Sequence, residues 1–569
     1  MSTLRLTTAS PWSTDAPRWR RLALLIGVLG SLAVVATYGV FSQTWDEPAH
    51  IAAGMQWLST GAYTYEAEHP PLARVATALG PYLAGERSHG LPAMYDEGRA
   101  IIGMGAHYRR TLALARLGEL PFLWLMLWVV WAWARRLAGE AAGAVAVLLT
   151  VTNPSVLAHA GLATTDLAPA AFAGAALFAY VAWLDRPGWR EGLLLGLALG
   201  LGATTKFSAI GFMGGAIVLT HVVRGVTTRH WRAERAEDGP PVAASTAATL
   251  LTAMTAVWGV YRFHVGAVPG THLVLPAPEF FRGLYDFAHH GATGHPAFLL
   301  GEVRMTGWWY YFPVALAVKT PLPLLLLGAI GAGLSLRDWR DWRWLAPVAL
   351  IGVVLALAAV SKVDLGVRLV LAVYPPLAVL GARAALLLAE QARASSLTRL
   401  VAPGMLAYAA IVPVASFPDY LAYFNPLAGR HPERILVDSN LDWGQDLYRL
   451  AQAERAWHMD SLHVHYFGSS SLMAAGVVNA RRLAPDERAT GWIAASETFL
   501  AGVWSDTSLA WLNRLTPVER VGRSMRLYFI PPPHDSGGAP GSSAPAPSIA
   551  PGGVPDSARV QIQRRTRAQ

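Results

Sequence analysis

Long apolar runs separated by short polar turns dominate the chain up to residue 416. A helix needs roughly 20 mostly apolar residues to cross a bilayer. About eleven runs approach that length by this criterion, at 22–41, 112–134, 141–158, 167–184, 192–205, 207–223, 243–263, 313–334, 344–360, 366–388 and 397–416. The pattern predicts an α-helical polytopic membrane protein.

Arginines follow alternate runs, as expected for turns on the cytoplasmic side of a membrane. They are Arg18, Arg20, Arg21, then Arg135, Arg136, then Arg186, Arg190, then Arg224, Arg229, Arg232, Arg235, then Arg337, Arg340, Arg343, and finally Arg383, Arg393, Arg399. We therefore predict a cytoplasmic N-terminus over 1–20 and a transmembrane domain over 21–418. No small-residue cleavage site follows the first run, which favours a retained helix over a signal peptide.

The same topology places the segment 42–111 outside the cytoplasm as a long first loop. Pro48 favours a helix start, after which Ile51 and Met55 fall on one face. A second short helix is predicted after the His69-Pro70-Pro71 corner, with Leu72 on its apolar side. Both are typical of amphipathic helices that lie in the membrane interface.

Beyond residue 418 the pattern changes. Short β-like runs at 462–467, 492–495 and 525–530 alternate with helical segments. We predict a small extracytoplasmic α/β domain over 419–532. The remainder, 533–569, is rich in Pro, Gly, Ser and Ala and is predicted to be disordered.

Composition supports this interpretation and removes several classes of function. Of 569 residues, 53% are hydrophobic and 15% charged, against roughly 25% charged in soluble domains. The absence of cysteine excludes disulfides, thiolate catalysis and cysteine-ligated zinc. The net charge of +9 comes with arginines at the ends of apolar runs, so a membrane and not a nucleic acid explains it.

Acidic residues at predicted membrane boundaries are the first candidates for chemistry, because such carboxylates are costly to keep there. Asp46 is our candidate base, with its neighbour Glu47 in support. Asp166 lies at another turn on the same predicted side, where it could divide base and stabilising roles with Asp46. Helix capping is the alternative for each of them.

Three cations share that predicted side: Arg74, Lys206 and Arg368. Together they would form a clamp for a phosphate or diphosphate headgroup. Lys206 could instead extend its side chain to the lipid headgroups. Tyr310 and Tyr311 fit an aromatic belt at the interface.

Metal sites are less well supported. His289, His290 and His295 lack a carboxylate at helical ligand spacing. The stretch 438–446 imitates a calcium loop, but Trp443 stands where the glycine belongs and Arg449 where the closing glutamate belongs. Mg²⁺ or Mn²⁺ between Asp46 and Asp166 is left open, since oxygen ligands suit both ions.

Several motifs in a fixed order resemble a known family. They are DEPAH, EHPPLAR, TTDLAPA, TKFSAI, GHPAFLLGE, GWWYYFP, VDLGVRLVLAVYPPL, PDYLAYFNPLAG and DSNLDWGQDL. Together they are similar to prokaryotic membrane glycosyltransferases of the protein-mannosyltransferase and aminoarabinose-transferase kind, in the glycosyltransferase C superfamily. The likeness runs from about residue 20 to 530.

The resemblance implies a polyprenyl-phosphate-linked sugar as donor and transfer on the outer face of the cell (inner) membrane, with inversion. It implies that Asp46 is the base and Asp166 the second acidic position. It further implies that Arg74, Lys206, Tyr310 and Arg368 contact the lipid phosphate, and we add His69 and Tyr311 from the same motifs.

The acceptor stays open at this stage. The segment 419–532 does not resemble the β-trefoil of eukaryotic protein mannosyltransferases, so protein, lipid and glycan are all candidate acceptors. Two other classes of function also stay open. One is a transporter or flippase for a lipid-linked sugar, and the other is a non-catalytic envelope scaffold.

Overall fold

The structure is a computed structural model that describes residues 16–235, 237–391, 400–484, 487–504 and 509–532. The predicted disordered tail, 533–569, lies outside the described residues, as does most of the predicted N-terminal segment.

Helices make up most of the described chain. They span Ala16–Ala36, Glu47–Thr60, Pro71–Leu83, Met94–Ile102, Gly105–Arg116, Leu120–Ala138, Glu140–Val151, Pro154–Ala160, Leu167–Asp185, Trp189–Ala203, Ser208–Thr228, Val242–Val260, Pro278–Thr293, Tyr311–Lys319, Leu322–Arg337, Trp342–Ala359, Tyr374–Gln391, Val401–Ser416, Leu447–Ala456 and Glu497–Leu500. The predicted helical polytopic architecture is confirmed.

The predicted count of about eleven crossings is too high by length and composition. Within the described residues, seven helices are long and apolar enough to span a bilayer, and an eighth is obtained if the bent pair Glu140–Val151 and Pro154–Ala160 is one span. The predicted run 313–334 is broken into two helices before Leu322. Proline causes both breaks, because Pro154 and Pro321 lack the N–H that would continue the preceding helix.

Burial separates central helices from peripheral ones. The span Val367–Glu390 has 94% of its apolar window buried inside the protein, whereas Val242–Val260 has 11%. The first therefore lies at the centre of the bundle. The second exposes a mostly apolar surface, as a lipid-facing helix does.

The two helices predicted in the first loop are confirmed as Glu47–Thr60 and Pro71–Leu83. They pack closely at Gly54, where an added Cβ would lie 2.0 Å from the carbonyl oxygen of Arg74. Only glycine permits this approach. The contact holds the middle of the first helix against the helix that carries Arg74.

The C-terminal region contains a mixed five-stranded sheet. Its strands lie in the order Ala480–Arg482, Leu462–His465, Gly491–Ser496, Met525–Ile530 and Glu519–Val521. The first three are parallel and the last two pair antiparallel. The three predicted strand runs are confirmed, and two small hairpins, Val265–Ala267 with Val274–Pro276 and Ala297–Leu299 with Glu302–Arg304, occur earlier in the chain.

Candidate active site

A cavity of about 800 Å³ lies where the first loop, several helix ends and the C-terminal region meet. Aromatic and aliphatic side chains form much of its wall. The titratable side chains in the wall are Asp46, Glu66, Glu68, His69, Tyr95, Lys206, His295, Arg368 and Asp438. They come from several widely separated stretches of the sequence, so the tertiary fold assembles the set.

Asp46 occupies the position just before the helix Glu47–Thr60, but its side chain makes no capping hydrogen bond. Instead, its Oδ2 accepts a hydrogen bond of 3.0 Å from Nη1 of Arg368. The Asp46 side chain is 23% exposed. The capping alternative therefore does not describe it, and its carboxylate faces the cavity beside a guanidinium.

Asp166 lies just before the helix Leu167–Asp185 and likewise makes no capping hydrogen bond. It accepts from Nζ of Lys206 at 2.7 Å and lies 3.5 Å from Nη1 of Arg368. Burial alone would raise the pKa of Asp166. The positive charges of Lys206 and Arg368 outweigh this effect and hold the pKa well below its usual range. Asp166 is therefore an ionised carboxylate that orders two cations.

Arg368 joins the two aspartates, since one of its nitrogens contacts both carboxylates. Its guanidinium also lies over the ring of Trp443, 4.3 Å from the centroid. Among the described residues its Nε has no hydrogen-bond partner. A buried, positioned guanidinium with a remaining donor is suited to binding an oxyanion.

Glu47 is fully buried and does not line the cavity. Its carboxylate is bonded twice by Arg116, at 2.8 Å and 2.9 Å. The backbone N–H groups of Thr44 and Ala163 also donate to it. These four hydrogen bonds to the Glu47 carboxylate hold the first loop on the helix bundle. Glu47 is therefore a structural residue here, whereas Asp46 faces the cavity.

Arg74 is also absent from the cavity wall. It is fully buried, forms an ion pair with Glu66 and donates to the Tyr63 hydroxyl at 3.1 Å. Burial raises the pKa of Glu66, but Arg74 and His69 lower it, and the pKa ends well below its usual range. The expected three-cation clamp is therefore reduced to Lys206 and Arg368, and Arg74 reaches the cavity only through Glu66.

The remaining residues predicted to contact the lipid-linked sugar donor lie in different places. His69 lines the cavity, and burial lowers its pKa, which keeps the ring neutral near pH 7. Tyr311 is buried outside the wall and accepts a hydrogen bond of 3.1 Å from Asn440. Tyr310 does not line the cavity and stacks edge-on against Trp309. The structure therefore brings His69 to the site and leaves both tyrosines outside its wall, Tyr311 buried and Tyr310 half-buried.

Sequence reasoning missed three carboxylates of the wall, Glu66, Glu68 and Asp438. Asp438 has a left-handed backbone, with φ of 55°. Burial, opposed in part by Arg368, raises its pKa to about 6. It belongs to the calcium-like stretch, whose later acids instead bond the protein: Asp442 accepts from the Thr498 N–H and Asp446 from the Ser524 hydroxyl.

Side-chain cations already contact Asp46 and Asp166. Arg368 contacts both carboxylates, and Lys206 contacts Asp166. Among the described residues no group of three or more His, Asp or Glu side chains is arranged to hold a metal ion. We therefore assign the positive charge of the site to side chains.

Part of the chain matches a known protein family. Residues 111–258 match the family model described as dolichyl-phosphate-mannose-protein mannosyltransferase. No curated protein sequence matches the chain.

Three solved structures are similar over most of the chain. ArnT from Cupriavidus metallidurans in the apo state is 14% identical over 90% of this chain and 98% of that chain, with a TM-score of 0.49. ArnT from the same organism bound to undecaprenyl phosphate is 14% identical over 89% and 97%, with a TM-score of 0.48. The apo oligosaccharyltransferase of Archaeoglobus fulgidus is 12% identical over 87% and 72%, with a TM-score of 0.46.

Proposed function

We propose that this chain transfers a lipid-phosphate-linked sugar to an acceptor hydroxyl with inversion. The match of residues 111–258 makes it a membrane glycosyltransferase of the kind that uses such a donor. The resemblance inferred from the motifs is thus confirmed. The single observation that supports the proposed mechanism is the contact of Arg368 with both Asp46 and Asp166. It joins a base and a phosphate-binding cation of the cavity wall to an anchoring acid, Asp166, that is buried outside the wall.

In the proposed reaction the acceptor oxygen forms a bond to the anomeric carbon of the donor sugar. The bond between that carbon and the phosphate oxygen breaks, and the phosphate leaves with the electron pair. Asp46 takes the proton of the acceptor hydroxyl. Lys206 and Arg368 stabilise the charge of the leaving phosphate, so a general acid is unnecessary. Attack from the side opposite the phosphate inverts the anomeric centre.

The two aspartates have different tasks in this mechanism. Asp166 is almost fully buried, with a side chain 1% exposed, and is held by both cations. We assign it a positioning role. Asp46 is the more exposed of the two, and its ion pair with Arg368 competes with the donor phosphate. Donor binding would therefore draw Arg368 away and leave the Asp46 carboxylate free to accept the proton.

We propose that the cavity opens on the extracytoplasmic side of the cell (inner) membrane. The support is the distribution of arginines, which assigns the opposite helix ends to the cytoplasm. Lys206 and Arg368 both belong to turns without such an arginine cluster. A lipid-linked donor would then approach along the apolar helices that border the cavity.

Transport without chemistry is the competing function, because the same cations could hold a lipid headgroup while it changes leaflet. The test uses purified protein in liposomes with a sugar-labelled polyprenyl-phosphate donor and a cell-envelope fraction as acceptor source. We expect free polyprenyl phosphate, with the label in the acceptor fraction. Label that only changes leaflet would show a transporter, and a donor left unaltered in place would favour a scaffold.

Substituting Arg368 by lysine should weaken donor binding. Lysine keeps the charge but loses the planar fork, and a hydrogen bond to a charged group contributes roughly 1.5–3 kcal/mol. We expect the KM for the donor to rise about tenfold or more on that basis. Steady-state kinetics with varied donor measure it. The matched control is Arg87→Lys, at an exposed arginine of the first loop, and a donor KM equal in the two variants would contradict the assignment.

A further inference from the structure

The segment 440–445 of the C-terminal region lies against the two parts of the chain that carry Arg368 and Asp46. It belongs to the stretch whose acidic spacing resembles a calcium loop, and the proposed reaction gives it no task. Both of its residues that reach Arg368 or the backbone beside it, Asn440 and Trp443, are buried. Their contacts connect the C-terminal region to the active site.

Asn440 holds the backbone beside Arg368. Its Oδ1 accepts a hydrogen bond of 3.0 Å from the N–H of Val367, and its Nδ2 donates to the Tyr311 hydroxyl at 3.1 Å. Its own carbonyl oxygen accepts from Nζ of Lys319 at 2.6 Å. Tyr311 and Lys319 are the two ends of one helix. That helix therefore fixes Asn440, and Asn440 fixes the peptide unit next to Arg368.

Trp443 contacts the Arg368 side chain directly. The guanidinium lies over the indole ring, 4.3 Å from its centroid, and the ring is almost fully buried. A guanidinium stacked on an aromatic ring keeps its N–H donors in its own plane, where they can still bind oxygen atoms. Trp443 therefore covers a face of Arg368 and leaves its edge to Asp46, Asp166 or a phosphate.

The same segment holds the residue before Asp46. The carbonyl oxygen of Trp443 accepts a hydrogen bond of 2.9 Å from the Trp45 N–H. The Trp45 carbonyl accepts from the Ser469 hydroxyl at 2.7 Å, and the Trp45 ring stacks on Phe467 with 4.9 Å between centroids. The C-terminal region therefore binds Trp45 through both of its backbone polar groups. The base and the phosphate-binding cation are attached to one element that is distant from both in sequence.

We propose that the 440–445 segment sets the placement of Arg368 relative to Asp46, with Asn440 and Trp443 as positioning residues for Arg368. The inference rests on the proposed function and identifies what holds its phosphate-binding cation. When a donor phosphate replaces Asp46 at the guanidinium, Arg368 changes its in-plane partner while its face stays on Trp443. The tryptophan that departs from a calcium loop at this position supports the cation.

Donor affinity measures the role of Trp443. The full-length protein in lipid nanodiscs would be titrated with polyprenyl phosphate, and the donor KM would be measured in the transfer assay. We expect Trp443→Leu to raise the dissociation constant and the KM by about fivefold or more, from the loss of a buried cation–π contact. Trp443→Phe keeps an aromatic face and should restore part of the affinity.

The matched control is Trp492→Leu. Trp492 is a buried tryptophan of the C-terminal sheet that lies outside the cavity wall. Its replacement should lower the midpoint of thermal unfolding and leave donor affinity unchanged. Equal donor affinity in Trp443→Leu and Trp492→Leu would overturn the assignment of Trp443.

Asn440 also has a close control, Asn425. Asn425 is buried and donates from Nδ2 to the carbonyl oxygens of Ala317 and Thr320. Within the described residues it bonds the end of the same helix and not the segment that carries Arg368. Alanine at either asparagine should lower the thermal midpoint.

We expect only Asn440→Ala to raise the donor KM, by about threefold or more on the scale of a lost hydrogen bond. Equal donor KM values in Asn440→Ala and Asn425→Ala would show that Asn440 serves stability alone. That result would overturn its positioning role.

A double-mutant cycle tests whether Trp443 acts through Arg368. Arg368→Gln removes the cation, so adding Trp443→Leu to it should weaken polyprenyl phosphate binding by no more than about twofold further. Fully additive losses would show that the indole ring acts on the donor without Arg368, and they would refute the positioning role.

The unmodified protein separates this inference from the proposed function. Protein that binds polyprenyl phosphate and responds to the variants as expected, but never transfers sugar, would overturn the proposed function and support the positioning of Arg368. Protein that transfers sugar, with the same donor affinity in Trp443→Leu, Asn440→Ala and their controls, would overturn the positioning alone.

Discussion

Substituting Asp46 by asparagine is expected to reduce sugar transfer by about 10²–10⁴-fold, the usual contribution of a general base. Asparagine retains the shape of the side chain and a carbonyl oxygen for Arg368, but it cannot take the acceptor proton. The effect should fall on kcat. Donor affinity should hold or improve, because the carboxylate that competes for Arg368 is gone. Initial rates with a labelled donor at varied concentration separate these two quantities.

The matched control for that experiment is Asp96→Asn. Asp96 is also in the first loop, but its side chain is 56% exposed and pairs with Arg99 on the same short helix. It should retain wild-type kcat. Should Asp46→Asn protein, purified at a normal level, transfer sugar as fast as the control, Asp46 is not the base and the proposed mechanism is refuted.

The sequence could predict that acidic and basic side chains lie together in the site, because membrane topology alone determines it. Once the arginines fix the sides of the helices, Asp46, Asp166, Lys206 and Arg368 must emerge at the same end of the bundle. Sequence also predicted the short helices of the first loop, since proline and apolar spacing are local signals. Neither prediction required knowledge of a side-chain partner.

The sequence could not place side chains whose partner lies outside the local sequence. The sequence around Glu47 gives no sign that Arg116 forms an ion pair with its carboxylate. Likewise, nothing local to Arg74 indicates that, unlike Arg368, it is bound by Glu66. Helix capping was the alternative for Asp46, because the position just before a helix suits a capping carboxylate. Arg368, more than 300 residues away, turns the side chain from the helix to the cavity.

The contribution of the C-terminal region to the cavity wall could not be predicted for the same reason. Asp438 belongs to a stretch whose acidic spacing resembles an ion-binding loop, but it lines the cavity whereas Asp442 accepts a hydrogen bond from Thr498. Only the packed structure shows one acid in the cavity wall and its neighbours bonded to the sheet region. The region after residue 418 therefore supplies part of the active site wall as well as a separate sheet.

Glu47→Gln should damage stability and spare the chemistry, the reverse of Asp46→Asn. The change leaves Arg116 fully buried without a counter-charge, and breaking a buried pair in this way costs about 3–5 kcal/mol. We expect a lower midpoint of thermal unfolding and less protein in the membrane. The fraction that remains folded should transfer sugar at a kcat within about threefold of wild type, because Glu47 makes no contact with the cavity.

The double variant Glu47→Gln with Arg116→Met distinguishes a lost ion pair from general disruption of the loop. Removing both charges eliminates the unpaired guanidinium, so the double variant should be less destabilised than the sum of the two single changes. Strictly additive losses would show that the two side chains act independently. Glu47→Gln could instead unfold at the normal temperature and lose kcat as much as Asp46→Asn does. That result would assign Glu47 the catalytic role that its position beside Asp46 first suggested.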